Sequence, residues 1–188
     1  WNNNDATLNN GVTTGQAGLS TTYNSNESYS FDGTDDFVDN GGGLLPNTGN
    51  PYSVAFWFDT NDASNQQRIF THRFDPDIAI AIGRQTNATL SLFHNAAEFD
   101  VTTTSDNTVV HVIAVYDNTI PEHRVYIDGS VAATGGGAQG TSSGTHRVGA
   151  DNTGSNVLDG RIDDVREYSK ALSDTEASNL YNTGSING

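Results

Sequence analysis

A chain of 188 residues with 23 acidic and only eight basic side chains, a single one of them lysine (Lys170), carries a formal charge of −15. That balance argues against nucleic acid, which requires clustered Lys and Arg to neutralise phosphate, and disfavours anionic membrane surfaces for the same reason. No apolar run approaches the roughly 18 residues of a membrane-spanning helix, so no membrane insertion is expected, and the absence of cysteine removes disulfides and thiolate metal sites. The length suits one domain over residues 1–188. Its start at Trp1 and its lack of methionine give the expectation of a piece excised from a larger surface protein, with flanking domains as partners. Scarce lysine beside abundant Asp, Thr, Gly and Asn gives the further expectation of a high-salt setting, where screening makes self-repulsion tolerable.

In chain order, strand patterns occur at Tyr29 to Val38, Ser53 to Phe58, Arg68 to Arg73, Ile78 to Ile82, Thr89 to Phe93, Val109 to Tyr116, Arg124 to Ile127, His146 to Val148 and Gly160 to Tyr168. The second is the clearest: Val54, Phe56 and Phe58 share one face while Ala55 and Trp57 share the other, so both faces must be covered. Trp57, between two phenylalanines, reads as core rather than as an exposed platform. So many short strands require two sheets packed face to face. Asp32-Gly33, Asp128-Gly129 and Asp159-Gly160 supply turn residues, and the glycine-rich stretch Ala132 to Gly144 reads as a flexible loop. Near the end, Ser173 and Glu176 have capping-box spacing, which predicts a short helix with Leu180 and Tyr181 facing the sandwich and Gly184 ending it.

These blocks, in this order, resemble laminin-G-like domains of the concanavalin A-like class. Tyr29-Ser30-Phe31-Asp32-Gly33-Thr34-Asp35-Asp36-Phe37-Val38 is similar to the family's opening strand, and Tyr52 to Phe58 to its aromatic core strand. His111 to Asp117 with Arg124 to Gly129 is similar to its central hairpin, Leu158 to Tyr168 to its closing strand, and Ala171 to Glu176 to its terminal helix. The resemblance implies an all-β, two-sheet antiparallel jelly-roll sandwich with one short C-terminal helix. The sequence departs from the family at Val109-Val110, where a Trp commonly precedes His, and at Glu167, where an apolar residue is usual.

For function, the Asp-rich turns offer oxygen ligands to a hard cation. Members of the resembled class often carry a structural calcium joining the first and last strands, which implies a calcium site at Asp32 and Asp163, with Asp35 as a further ligand. Glycosidases of the class place two Glu about one Asp on a strand; Glu98-Phe99-Asp100 begins that pattern, but Val101, Thr102 and Thr103 follow it, so hydrolysis is not expected. Lyase chemistry needs a base beside a cation, and no such constellation stands out. His72, Arg73 and His94, on strands expected to be neighbours, are the candidate ligand-binding residues. Tyr23, Phe74 and Tyr116 are candidate exposed aromatics. The expectation is a non-catalytic extracellular or cell-surface module that recognises a glycan or glycoprotein; the alternative is a structural interaction domain of a larger cell-surface protein or virion spike.

Overall fold

The computed structural model describes residues 6–25, 27–42, 50–62, 64–73, 78–94, 97–120, 122–136 and 145–187. Among these residues, fourteen strands and one helix follow in chain order. They are β1 (Thr7–Asn9), β2 (Thr13–Ala17), β3 (Glu27–Asp32), β4 (Phe37–Gly42), β5 (Tyr52–Thr60), β6 (Gln67–Arg73) and β7 (Ile78–Arg84). After them come β8 (Thr89–His94), β9 (Ala97–Thr103), β10 (Val110–Asp117), β11 (Glu122–Ile127), β12 (Ser130–Gly136), β13 (Thr145–Val148), β14 (Asp159–Tyr168) and α1 (Asp174–Thr183).

Two seven-stranded antiparallel sheets result, the first in the order β1-β4-β13-β6-β7-β8-β9 and the second in the order β12-β11-β10-β5-β14-β3-β2. The expected two-sheet sandwich is therefore present. Alternation decides which side chains lie between the sheets: Val54, Phe56 and Phe58 of β5 point inward, and Phe56 stacks on Phe70 of the first sheet at 6.1 Å. The other face of β5 is covered as well, because Ala55 joins Ile113, Val115 and Tyr126 in a second apolar cluster closed by Leu172, Ala177 and Leu180 around α1.

That helix forms where local signals place it. Ser173 caps it, the reciprocal bonds with Glu176 complete the capping box, and Gly184 ends it in the left-handed region at φ 70°. Asp128 and Gly129, at φ 49° and 76°, make the two-residue turn between β11 and β12. Asp159-Gly160 departs from expectation, for it opens β14 instead of turning. Its glycine answers to crowding, since a Cβ there would stand 2.2 Å from the Asp59 carbonyl oxygen of the neighbouring strand. The stretch expected as a loop from Ala132 likewise continues as strand to Gly136, and residues 137–144 lie outside those described.

Where the family usually has an apolar residue, Glu167 faces inward from β14, and its Oε1 lies 3.0 Å from Nε2 of the buried His146 on β13. His146 in turn stacks on His72 of β6 at 5.3 Å, directly opposite it in register. This end of the interior also holds Tyr52, whose hydroxyl lies 3.3 Å from Nε2 of the buried His123. A sandwich core that is apolar at its centre thus becomes polar toward one end, where Glu167 faces His146 and Tyr52 faces His123.

Candidate functional site

The turn between β3 and β4 gathers acid. One carboxylate oxygen from each of Asp32, Asp35 and Asp36 lies within 4.8 Å of the others. The Asp32 carboxylate accepts the Thr34 N–H at 2.8 Å, and the Asp35 carbonyl accepts from the Asn10 side chain at 2.7 Å. Asp36 is buried; its Oδ2 accepts the Asp32 N–H at 3.0 Å, and its Oδ1 has no hydrogen-bond partner. Burial, reinforced by the charges of Asp32 and Asp35, raises the Asp36 pKa above the usual carboxylate range. A hard cation fits this donor set, because it would take the unpartnered oxygen and offset the crowding of three negative charges.

Asp163 lies elsewhere. Antiparallel register sets Asp159 opposite Asp32, and Asp163 follows four positions farther along β14, roughly 13 Å of strand. There it is buried, and its Oδ2 accepts the Leu19 N–H at 2.7 Å and the Ser25 hydroxyl at 2.5 Å. It anchors the segment that crosses the outer face of the second sheet. Within that segment the Tyr23 hydroxyl accepts from Trp57 Nε1 at 2.8 Å and donates to Asp164 at 2.5 Å. The structure therefore groups Asp32 and Asp35 with Asp36 rather than with Asp163.

The expected set of His72, Arg73 and His94 is not assembled on adjacent strands, because β7 lies between β6 and β8. His72 is wholly buried between the sheets and faces no solvent. Arg73 and His94 end their strands, and their side chains, like all of Phe74, lie outside the described residues. Tyr116 is buried against Tyr52 and His123, which corrects its expected exposure. Trp57, 1% exposed, is core as read, with Tyr181 of α1 stacked on it at 5.5 Å.

What the sequence did not indicate is a polar set on the outer face of the first sheet. Gln85, Thr86, Asn87, Glu98 and Asp100 line a shallow, open depression there. Gln66 donates to the Gln85 side-chain carbonyl at 2.7 Å, Gln85 donates to the Glu98 carboxylate, and the Ser91 hydroxyl donates to Asp100 at 3.0 Å. Alternation on β9 turns Glu98 and Asp100 outward while Phe99 and Val101 pack on the core. Beside them Arg68 lies over Phe93, its guanidinium carbon 3.8 Å from the ring centroid. No strand is expected from the sequence at β9, and a bulge at Arg68 and Phe70 breaks the pattern that would have placed the arginine.

A two-sheet sandwich with a capped terminal helix, a polar depression on one sheet face and an acidic turn is a lectin-like jelly-roll domain in architecture. Residues 32–178 match the family model of the Concanavalin A-like lectin/glucanases superfamily, in its laminin G branch, and the chain belongs to that family. Among solved structures, domain 4 of AbnA, an extracellular GH43 arabinanase from Geobacillus stearothermophilus, in complex with arabinotriose, is similar with a TM-score of 0.71 and 17% identity over 94% of this chain and 87% of that one. The Botulinum neurotoxin serotype G binding domain gives 0.70 and 15%, covering 96% of this chain, which spans about half of that domain at 47%. The heptameric SAP-like pentraxin from Limulus polyphemus gives 0.61 and 19%, covering 81% and 80%. At these identities the likeness shows the fold alone. A comparison with curated proteins finds none that matches.

Proposed function

We propose that the protein is a non-catalytic, extracellular or cell-surface module that binds a glycan or the glycan of a glycoprotein. The observation that carries this reading is the exposed depression on the first sheet, where planar amides and carboxylates offer paired donors and acceptors to sugar hydroxyls. Family membership and the arabinotriose held by the arabinanase domain support it. Catalysis is disfavoured on chemical grounds. An acid catalyst needs a carboxyl kept protonated by burial, whereas Glu98 and Asp100 are both exposed, and Thr102 comes next on their strand face. Binding of the 188-residue chain to defined oligosaccharides on a glycan array in molar salt is the expected result; silence across the array would favour a structural interaction role. Incubation with polysaccharides should release neither reducing sugar nor unsaturated uronate, and product that vanishes in Glu98→Ala would overturn the non-catalytic reading.

We also propose that calcium occupies the Asp32, Asp35 and Asp36 turn as a structural ion. An ion bound only to the folded chain adds RT ln(1 + [L]/Kd), about 2.7 kcal/mol at a hundredfold excess over Kd. Chelation at fixed ionic strength should lower the melting temperature, and Asp36→Asn should remove that sensitivity while Asp163→Asn leaves it in place. Equal melts with and without chelator would refute the site.

A further inference from the structure

In this acid-rich chain arginines find carboxylates readily: Arg84 pairs with Asp106, Arg124 with Asp117, Arg147 with Asp39, Arg161 with Asp59 and Arg166 with Asp164. Among the arginines whose side chains are described, Arg68 alone has no ion pair. It is 8% exposed, and its Nη1 has no hydrogen-bond partner. The side chain crosses β7 at Gly83, where a Cβ would stand 2.9 Å from Nη1 and 3.1 Å from Cδ, so the missing side chain of that glycine makes the trough in which the arginine lies. The trough leads to Phe93 on β8, and Glu98 of β9 stands directly opposite Phe93 in register. The guanidinium is thus laid one strand from the depression. Burial lowers its pKa, and the Glu98 and Asp151 carboxylates act against that shift from beyond ion-pair distance.

A buried guanidinium with an unused donor is costly, and an acceptor supplied by a ligand would offset that cost. The same ligand must suit Glu98 and Asp100, which when ionised only accept hydrogen bonds. A hydroxyl satisfies both demands, since it accepts from the arginine and donates to a carboxylate. A uronate, sialate or sulfate would answer Arg68 but would meet Glu98, Asp100 and a chain of charge −15. Resting on the glycan-binding reading, we infer that Arg68, Gln85, Glu98 and Asp100 form a subsite that reads the hydroxyl pattern of an uncharged sugar and rejects acidic ones.

The test measures binding of the full chain to immobilised neutral oligosaccharides, arabinotriose among them, beside matched uronate-terminated and sialylated ones. Neutral probes should bind, acidic ones should bind at least tenfold more weakly, and Arg68→Met, Glu98→Ala and Gln85→Ala should each weaken neutral binding tenfold or more. Glu98 and Gln85 are not buried, so those two variants keep the test valid should Arg68→Met fail to fold, and thermal melts report which variants are intact. Neutral binding that is unchanged in both folded variants would overturn the subsite while leaving the binding module standing. Preference for acidic probes would overturn the sugar class, and silence toward every sugar would overturn the glycan reading together with the subsite.

Discussion

Acidification from about pH 7 to about pH 4.5 should destabilise the fold by several kcal/mol, well before most carboxylates titrate. Two buried histidines account for this. His72 is held down to about 3 by burial and then by the neighbouring His146, and His111 to about 4 by burial, with Arg166 adding to the shift and Asp164 opposing it. In the unfolded chain both revert to about 6.5. Because the folded values are depressed, the unfolded state binds more protons below pH 6.5; the stabilisation is complete above that value and is lost as the pH falls toward the folded pKa values. At about 1.4 kcal/mol per unit, each group contributes on the order of 3 to 5 kcal/mol, against a total stability of about 5 to 15 for an ordinary domain. Urea denaturation across this window should show a steadily falling midpoint, and His72→Gln should flatten part of the slope. A midpoint that stays level between about pH 7 and pH 4.5 would refute the account.

Trp57→Ala should cost about 3 to 5 kcal/mol, the range for truncating a large buried aromatic. The indole lies between the second sheet and the helix, in contact with Tyr23, His111 and Tyr181, and its N–H is bonded to the Tyr23 hydroxyl. Removal takes from the Tyr23 hydroxyl the donor that it accepts from, while its own bond to Asp164 stays. The loss should appear as a lower urea midpoint at unchanged slope. Sugar binding should persist in conditions where the variant is folded, since Trp57 and the depression lie on different sheets. Loss of binding in a fully folded variant would return the indole to the role of a platform.

How much of this could be read from residues alone depends on how local the cause is. The helix was legible to the residue, because Ser173, Glu176 and Gly184 act within a few positions of themselves. Strand β5 was legible because apolar side chains fill both faces without interruption from Val54 to Phe58. The edge strands β1 and β2 were not, since they are short, largely exposed and take their form from pairing with β4 and β3. Which side chains from distant strands meet was not legible, because it depends on register. Nothing near Asp163 says that it meets Leu19 and Ser25, and nothing near His72 says that His146 lies opposite it. Arg68 reaches Phe93 only through a bulge and a glycine trough on another strand, a relation that exists only after the sheet has formed.

The place of β14 in the second sheet has a consequence for synthesis. It is the last of the described strands in chain order, yet it sits between β5 and β3, so the β2 and β3 pair joins the rest of that sheet only through it. While the chain is still emerging from a ribosome, β3 lacks its native partner in that sheet and must wait for residues synthesised more than a hundred positions later. Closure of so long a loop is slow relative to local pairing, so the second sheet is completed only after β14 has emerged. Until then the edges of β5 and β3 are open to pairing with another chain, and the docking of β14 between them closes both.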